Sequence, residues 1–221
     1  MAWEYLLTDE HDARAMLIAG YLANKIVGKT IVDLDCGHAP LLKYLPQTYK
    51  RYYGNDVLAE RLPKYPGALF LPIPDAEFVQ NDFESVDVLV VMGMGGYELT
   101  KEKLESSTLT ASIIHMAQKY KPDILIIECI KEFESIIEKY VYPHIGSSYT
   151  LKHNITISVS DERIGNRIIK IYEAHDSNPN KEWYLSSNND VRIFCCIRIR
   201  VSCEAGYYYL VLRPRCTEQN G

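Results

Sequence analysis

Two apolar runs constrain this 221-residue chain more than anything else in it: Val86-Asp87-Val88-Leu89-Val90-Val91-Met92 and, about 35 residues on, Ile124-Leu125-Ile126-Ile127-Glu128. Strands this uniformly apolar are buried on both faces, which calls for a parallel sheet with helices packed on either side. Residues 99–119, between the runs, predict the crossover helix, and residues 133–140 a further one. Upstream, Ala13, Met16, Leu17, Ala19, Gly20, Leu22, Ala23 and Ile26 recur at helical spacing, with Thr8 available as a cap and Gly28 just past the end, so residues 9–27 read as a helix. Residues 30–34 read as a strand, 39–45 as a helix, 51–56 as a strand ending on an acid and 57–64 as helix-like. Pro63, Pro66, Pro72 and Pro74 then crowd a loop that contains one short strand, 68–71.

After Pro143 the pattern changes to two β-rich runs, 149–158 and 166–173, joined by Asp161-Glu162-Arg163-Ile164-Gly165, which predicts a hairpin. The expected fold class is α/β, a doubly wound Rossmann-like sheet of about seven strands, mostly parallel, with an antiparallel C-terminal hairpin that ends on an antiparallel edge strand. Residues 1–175 make up that domain. Residues 176–221 form a small β appendage, with strands at 191–202 and 207–212 after a polar linker. Two strands cannot form a core alone, so they pack on the main sheet or on a second copy, giving a homodimer through the C-terminal strands.

Lys plus Arg number 24 against 29 Asp plus Glu, a formal charge of −5, so the molecule as a whole is not built to coat a polyanion and any nucleic-acid contact must come from a local patch. One patch stands out. On the strand at 191–202, Arg192, Phe194, Cys196, Arg198 and Arg200 alternate with Val191, Ile193, Cys195, Ile197, Ile199 and Val201, which makes one face basic and the other apolar. From His175 onward there are six basic and five acidic residues, and Tyr207, Tyr208 and Tyr209 are suited to stack on bases beside those arginines. An exposed edge kept soluble by arginine is the simpler reading. The six cysteines lack paired metal-ligand spacing, so they read as buried free thiols, with no metal site expected. No apolar run is long enough for a membrane span, and the N-terminus lacks the order of a signal peptide. The expected localisation is cytoplasmic, with no membrane partner.

The chemistry concentrates in Val32-Asp33-Leu34-Asp35-Cys36-Gly37-His38-Ala39-Pro40, where the first strand meets the first crossover helix at the carboxyl edge of the sheet, the edge at which such folds bind ligands. Small residues there let backbone amides approach a ligand, and strand-end carboxylates receive an ammonium group or order the loop. Asp56 lies 23 residues after Asp33, where an acid accepts hydrogen bonds from both hydroxyls of a ribose, and the pair points to an adenosine-containing cofactor. Met92-Gly93-Met94-Gly95-Gly96 opens a gap after the fourth strand, with Tyr97, Glu98 and Glu128 the nearest polar side chains by sequence. Each feature also has a plainer use: glycines make tight turns, Asp33 and Asp82 cap turns or helices, Glu98 is a solvated helix-start carboxylate, and His38 is a turn residue.

From residue 30 to residue 174 the sequence resembles the class I S-adenosylmethionine-dependent methyltransferases, whose first motif is an acid followed by glycines after strand one. The resemblance implies that Asp33, Asp35 and Gly37 line the cofactor, that Asp56 binds its ribose, that Asn81, Asp82 and Phe83 receive its adenine, and that Gly93 and Gly95 flank it. Asp35 and Ala39 stand where that motif commonly has its first and last glycines. A narrower resemblance, through His38-Ala39-Pro40-Leu41 and the Gly-Met-Gly-Gly turn at 93–96, is to the bacterial tRNA adenine-N1 methyltransferases. That family has Asp at the place of Gly37 and a helical C-terminal domain where this chain has strands. The implied activity is transfer of a methyl group from S-adenosylmethionine to a nitrogen or oxygen of a small-molecule or RNA acceptor, with His38, Tyr97 and Glu98 the candidate catalytic groups. Two other readings stay open. One is a noncatalytic methyltransferase-like binding or scaffold module. The other is a nicotinamide-dependent dehydrogenase, which would need three glycines where only Gly37 is present.

Overall fold

A computed structural model of the chain describes residues 9–94, 108–158, 166–175, 197–204 and 207–214. Nine strands form one sheet: β1 (Thr30–Leu34), β2 (Arg51–Asn55), β3 (Ala68–Leu71), β4 (Val88–Met94), β5 (Ile124–Ile130), β6 (Tyr149–Ser158), β7 (Arg167–Ala174), β8 (Ile197–Glu204) and β9 (Tyr207–Pro214). Their spatial order is β3-β2-β1-β4-β5-β7-β6-β9-β8. Strands β1 to β5 are mutually parallel, and β7 runs antiparallel to both β5 and β6. The hairpin expected at 149–173 is present, but its antiparallel member lies inside the sheet and not at its edge. The chain passes beyond the β5 flank to lay down β6, and β7 then fills the space between them. The appended pair joins the sheet, with β9 parallel to β6 and β8 antiparallel to β9.

The period of two along each strand sorts the core into two layers. Val32, Leu34, Leu89, Val91, Leu125, Ile127, Ile168 and Tyr172 face one side, where α3 (Thr108–Tyr120) and a helical run at 131–145, here α4, cover them. Ile31, Val88, Val90, Ile124, Ile126, Ile169 and Ile171 face the other, under α1 (Asp9–Leu22) through Ala15, Ile18, Ala19 and Leu22. Every residue of β1 and the first five of β4 are buried, as the uninterrupted apolar runs require. No helix of the described residues is long and apolar enough to cross a membrane.

The local departures from expectation have identifiable causes. Residues 39–45 form only a 3-10 turn, Pro40–Lys43, entered through a left-handed Ala39. Residues 57–64 form a single turn, Ala59–Arg61, because Pro63 and Pro66 deny a longer helix its donors. The helix at 9–27 ends at Leu22, and the described part of the crossover expected at 99–119 is α3. In α4, Ile137–Val141 is wound as a π-helix, since Pro143 has no N–H for the carbonyl four residues back and the wider turn uses the next donor. The short α2 (Asp75–Phe78) leaves the end of β3.

Gly54, in the middle of β2's buried stretch, shows how closely this sheet end is packed. A Cβ there would stand 2.7 Å from Cys36 Sγ and 2.9 Å from the Phe70 ring. Gly54→Ala is therefore expected to cost about 1–3 kcal/mol and to lower the thermal midpoint by several degrees, measurable by differential scanning calorimetry.

Candidate functional site

The carboxyl ends of β1, β2 and β3 meet in one hydrogen-bonded assembly. The main-chain N–H of Cys36 donates to the carbonyl of Asn55 at 2.8 Å, and that of Asp35 to Asn55 Oδ1 at 3.2 Å. Asn55 Nδ2 in turn donates to Asp75 Oδ1 at 2.8 Å and to the carbonyl of Ile73 at 3.1 Å. One buried amide thus ties together the ends of three strands, using both its oxygen and its nitrogen.

The turn after β1 has an unusual backbone. Asp35 (φ 52°), Gly37 (φ 54°) and Ala39 (φ 46°) are all left-handed, although only one of them is glycine. A side chain in that region costs roughly 1–2 kcal/mol, less for Asp than for most residues. The left-handed path is kept with a glycine at only one of its three positions.

Four carboxylates gather here. Asp33 is fully buried; its Oδ2 accepts from the Tyr52 hydroxyl, and its Oδ1 has no partner. Burial pushes its pKa up to about 7, with the Tyr52 hydrogen bond working against the rise and the Asp35 charge adding to it. Asp35 reaches solvent but is crowded by protein, and that partial desolvation, followed by the charges of Asp75 and Asp56, pushes it up to about 7 as well. Asp75 is also raised, chiefly by burial. Asp56, 1% exposed, accepts from the Leu58 N–H at 2.7 Å and pairs with Arg61 at 3.5 Å. A Cβ on Gly37 would come 3.8 Å from Asp56 Oδ2, so the left-handed turn lies directly against this carboxylate. Asp56 stands at the strand end where the sequence pattern puts it, but its own loop closes it off. His38 lies exposed on the same turn.

Across the sheet, β4 pairs with β5 through a register shift between Val91 and Met94, and Gly93 takes φ 87°. Its N–H donates to Glu128 Oε2 at 2.6 Å. Glu128 is fully buried and also binds Arg14 of α1 at 2.7 Å and Arg167 of β7 in a bidentate pair. Burial opposes its ionisation, but the two guanidiniums outweigh that and hold its carboxyl far below the usual carboxylate range. Glu128 is therefore not a free polar group, and it holds the irregular stretch of β4 at Gly93.

Three expected residues sit elsewhere. Asn81 and Phe83 are tied to the C-terminal end of α3, where the Tyr120 hydroxyl donates to the Asn81 carbonyl and accepts from the Phe83 N–H. Phe83 packs among Phe78, Tyr53 and Tyr120, and Asp82 is exposed beside Lys119. That end of α3 leads into the start of β5, so these residues belong to the amino side of the sheet and not to the rim. The acid that β3 delivers to the rim is Asp75, four residues past the strand, and the strand-end rule that selects Asp33 and Asp56 would have selected it too. Arg14, Tyr52, Asn55, Arg61 and Arg167 carry no motif signal. Gly95, Tyr97 and Glu98 lie outside the described residues.

Glu128→Gln leaves two arginines facing a neutral amide and is expected to cost about 3–5 kcal/mol, read from urea unfolding at pH 7. Because the folded carboxyl has the lower pKa, its contribution is present above its unfolded value, near 4.5, and is lost as pH falls below that. The gap between wild type and variant should therefore narrow in acid.

Neither a family model nor a curated protein sequence matches the chain. Solved structures do. The magnesium protoporphyrin IX methyltransferase ChlM from Synechocystis PCC 6803, with bound S-adenosylmethionine, superposes with a TM-score of 0.55 at 15% identity, over 75% of this chain and 80% of that one. The N-methyltransferase NodS from Bradyrhizobium japonicum WM9, with S-adenosylhomocysteine, gives 0.55 at 12% identity over 78% and 92%. A precorrin 8W decarboxylase from Methanobacterium thermoautotrophicum gives 0.51 at 18% identity over 73% and 89%. Likeness at this identity is a likeness of fold.

Proposed function

We propose that this chain, which has the fold of the class I S-adenosylmethionine-dependent methyltransferases, transfers a methyl group from S-adenosylmethionine to a nitrogen or oxygen acceptor. The observation that carries this reading is the turn at residues 35–39. It keeps three alternate left-handed residues, at a cost in strain, against a buried carboxylate at the end of the next strand. Strain of this kind persists where function requires the conformation.

The residues present fit the cofactor. Asp33 Oδ1 is a buried acceptor without a partner, Gly37 leaves room beside Asp56, and the carboxylates of Asp33, Asp35 and Asp75 suit a ligand bearing a sulfonium and an ammonium. When bound, the cofactor supplies an already activated methyl group, so no nucleophilic side chain is needed and the protein's task is alignment and exclusion of water. Asp33 and Asp35 balance the positive charges. Asp56 receives the ribose hydroxyls once Arg61 yields its place, and Asp75 takes the adenine-side role that the family resemblance gives to residues 81–83. Glu128 holds the irregular end of β4 at Gly93, which on this reading borders the acceptor's approach. His38, exposed on the turn after β1, is the candidate for accepting a proton from a nitrogen or oxygen acceptor, beside the Tyr97 and Glu98 that the family resemblance implies.

A second reading, a noncatalytic binding module on the same fold, is favoured by one observation: Asp56 is closed by Leu58 and Arg61. Calorimetric titration with S-adenosylhomocysteine separates the two, since an enzyme should bind its product and a complete absence of heat would leave only the module. Asp56→Ala and Asp75→Ala are each expected to weaken that binding at least tenfold, about 1.4 kcal/mol, while Asp82→Ala leaves it unchanged. Equal losses at all three positions would contradict the assignment.

A proton signature is expected as well. A cation bound beside Asp33 and Asp35 lowers their raised pKa values, so S-adenosylmethionine binding should release protons near pH 6–7 and none at about pH 9. The check is the dependence of the binding enthalpy on the ionisation enthalpy of the buffer.

A further inference from the structure

We propose that Arg61 is a built-in competitor for the nucleoside site: its guanidinium holds residues 57–66 closed over Asp56, and the ligand binds by displacing it. This is a regulation of the site described above and rests on the methyl-transfer reading for the identity of the ligand; the closure itself rests on the contacts at Asp56.

Both oxygens of Asp56 are engaged by the chain that follows it. Oδ1 accepts the Leu58 N–H at 2.7 Å, and Oδ2 stands 3.5 Å from an Arg61 nitrogen. Oδ2 is also the oxygen that faces the turn after β1, 3.8 Å from where a Cβ on Gly37 would lie. A ribose seated against that turn and the Arg61 guanidinium therefore need the same oxygen. The guanidinium acts on a second acid of the cluster as well: burial and the charges of Asp75 and Asp56 push Asp35 up, and Arg61 opposes them. One internal cation thus serves the carboxylates that a cationic nucleoside would use. Asp56 is 1% exposed and stays buried when the arginine leaves, so opening is disfavoured until a ligand covers the carboxylate.

The segment that carries Arg61 is built to move. Asp56 is buried, but none of residues 57–66 is. The turn Ala59–Arg61 is closed on itself, with the Arg61 N–H donating to the Leu58 carbonyl at 3.0 Å and the Leu62 N–H to that of Ala59 at 3.2 Å, so it can shift as a unit. Between the segment and β3 lies an open groove of about 620 Å³, bordered by Leu62, Pro63 and Tyr65 on one side and Phe70 on the other. A segment that buries no side chain and borders open space opens locally at low cost. The Arg61 pair, with one partner near solvent, then decides how often the site is closed, and the apparent affinity for a ligand falls in proportion to the open fraction.

The test is calorimetric titration of S-adenosylhomocysteine into wild type, R61Q, D56A and D56A/R61Q, together with amide hydrogen exchange of the wild type with and without that ligand. R61Q keeps most of the side chain's length and removes its charge, and should bind about fivefold more tightly than wild type. In the D56A background the same substitution should change affinity by less than about twofold, because the competitor then has nothing to hold. In the wild type the ligand should speed exchange of the amides at 58–62, where the Leu58 N–H loses its acceptor, and slow exchange at 35–39. That readout needs no variant and decides the matter if R61Q folds poorly. Equal or weaker binding by R61Q, the same gain in the D56A background as outside it, or slower exchange at 58–62 on binding would each overturn the proposal while leaving methyl transfer standing. Absence of binding in both wild type and R61Q would overturn the methyl-transfer reading, and the proposal with it.

Discussion

The architecture hangs on one buried carboxylate. Glu128, on β5, collects a guanidinium from α1, a second from β7 and a main-chain N–H from the irregular stretch of β4 at Gly93, so four separate pieces of chain are fixed at a point inside the sheet. Removing so many polar groups from water is expensive unless each finds a partner. The arrangement succeeds because the bidentate Arg167, the Arg14 pair and the Gly93 N–H approach the carboxylate together. It also specifies register. Arg167 is the first residue of β7, opposite Ile130 of β5, and a slip of one residue would turn its side chain to the other face of the sheet.

Against this rigid centre, the rim beside β1 is held in a less comfortable state. Asp33 keeps an unpartnered oxygen in the core, and the backbone is left-handed at both Asp35 and Ala39. Asn55 commits both ends of its amide to holding β1, β2 and β3 in line. Stability is given up at the strand ends and recovered in the two apolar layers beneath them. A binding site on a doubly wound sheet is expected to show that division, with strained and charged groups at the edge carried by closely packed strands.

The parts of this that could be read in the sequence are those with long-range repetition. The runs at β4 and β5, the hairpin after Pro143 and the strand-end acids Asp33 and Asp56 are patterns of several residues that agree with one another. Residues 39–45 and 57–64 misled because a few apolar residues at helical spacing look alike whether or not prolines and a left-handed entry cut the turn short. Asn81, Asp82 and Phe83 misled because a short polar-aromatic motif carries no information about which end of the sheet it reaches. Arg14 is one charge on an amphipathic helix, and only the three-dimensional meeting with Glu128 shows that it is buried. The turn at residues 35–39 was legible in position but not in conformation, since its letters depart from glycine while its dihedral angles do not.

The parallel docking of β9 on β6 has a consequence for the boundary between the seven inner strands and the final pair. Through Ile155↔Tyr208 to Ser158↔Val211 the last strand satisfies the backbone ladder on the flank of β6 that faces away from β7. A protein shortened after His175 would keep both apolar layers but present that ladder bare. An open flank of this kind is a template for any extended segment that meets it, so the truncated form should self-associate or clump at concentrations where the whole chain stays dispersed.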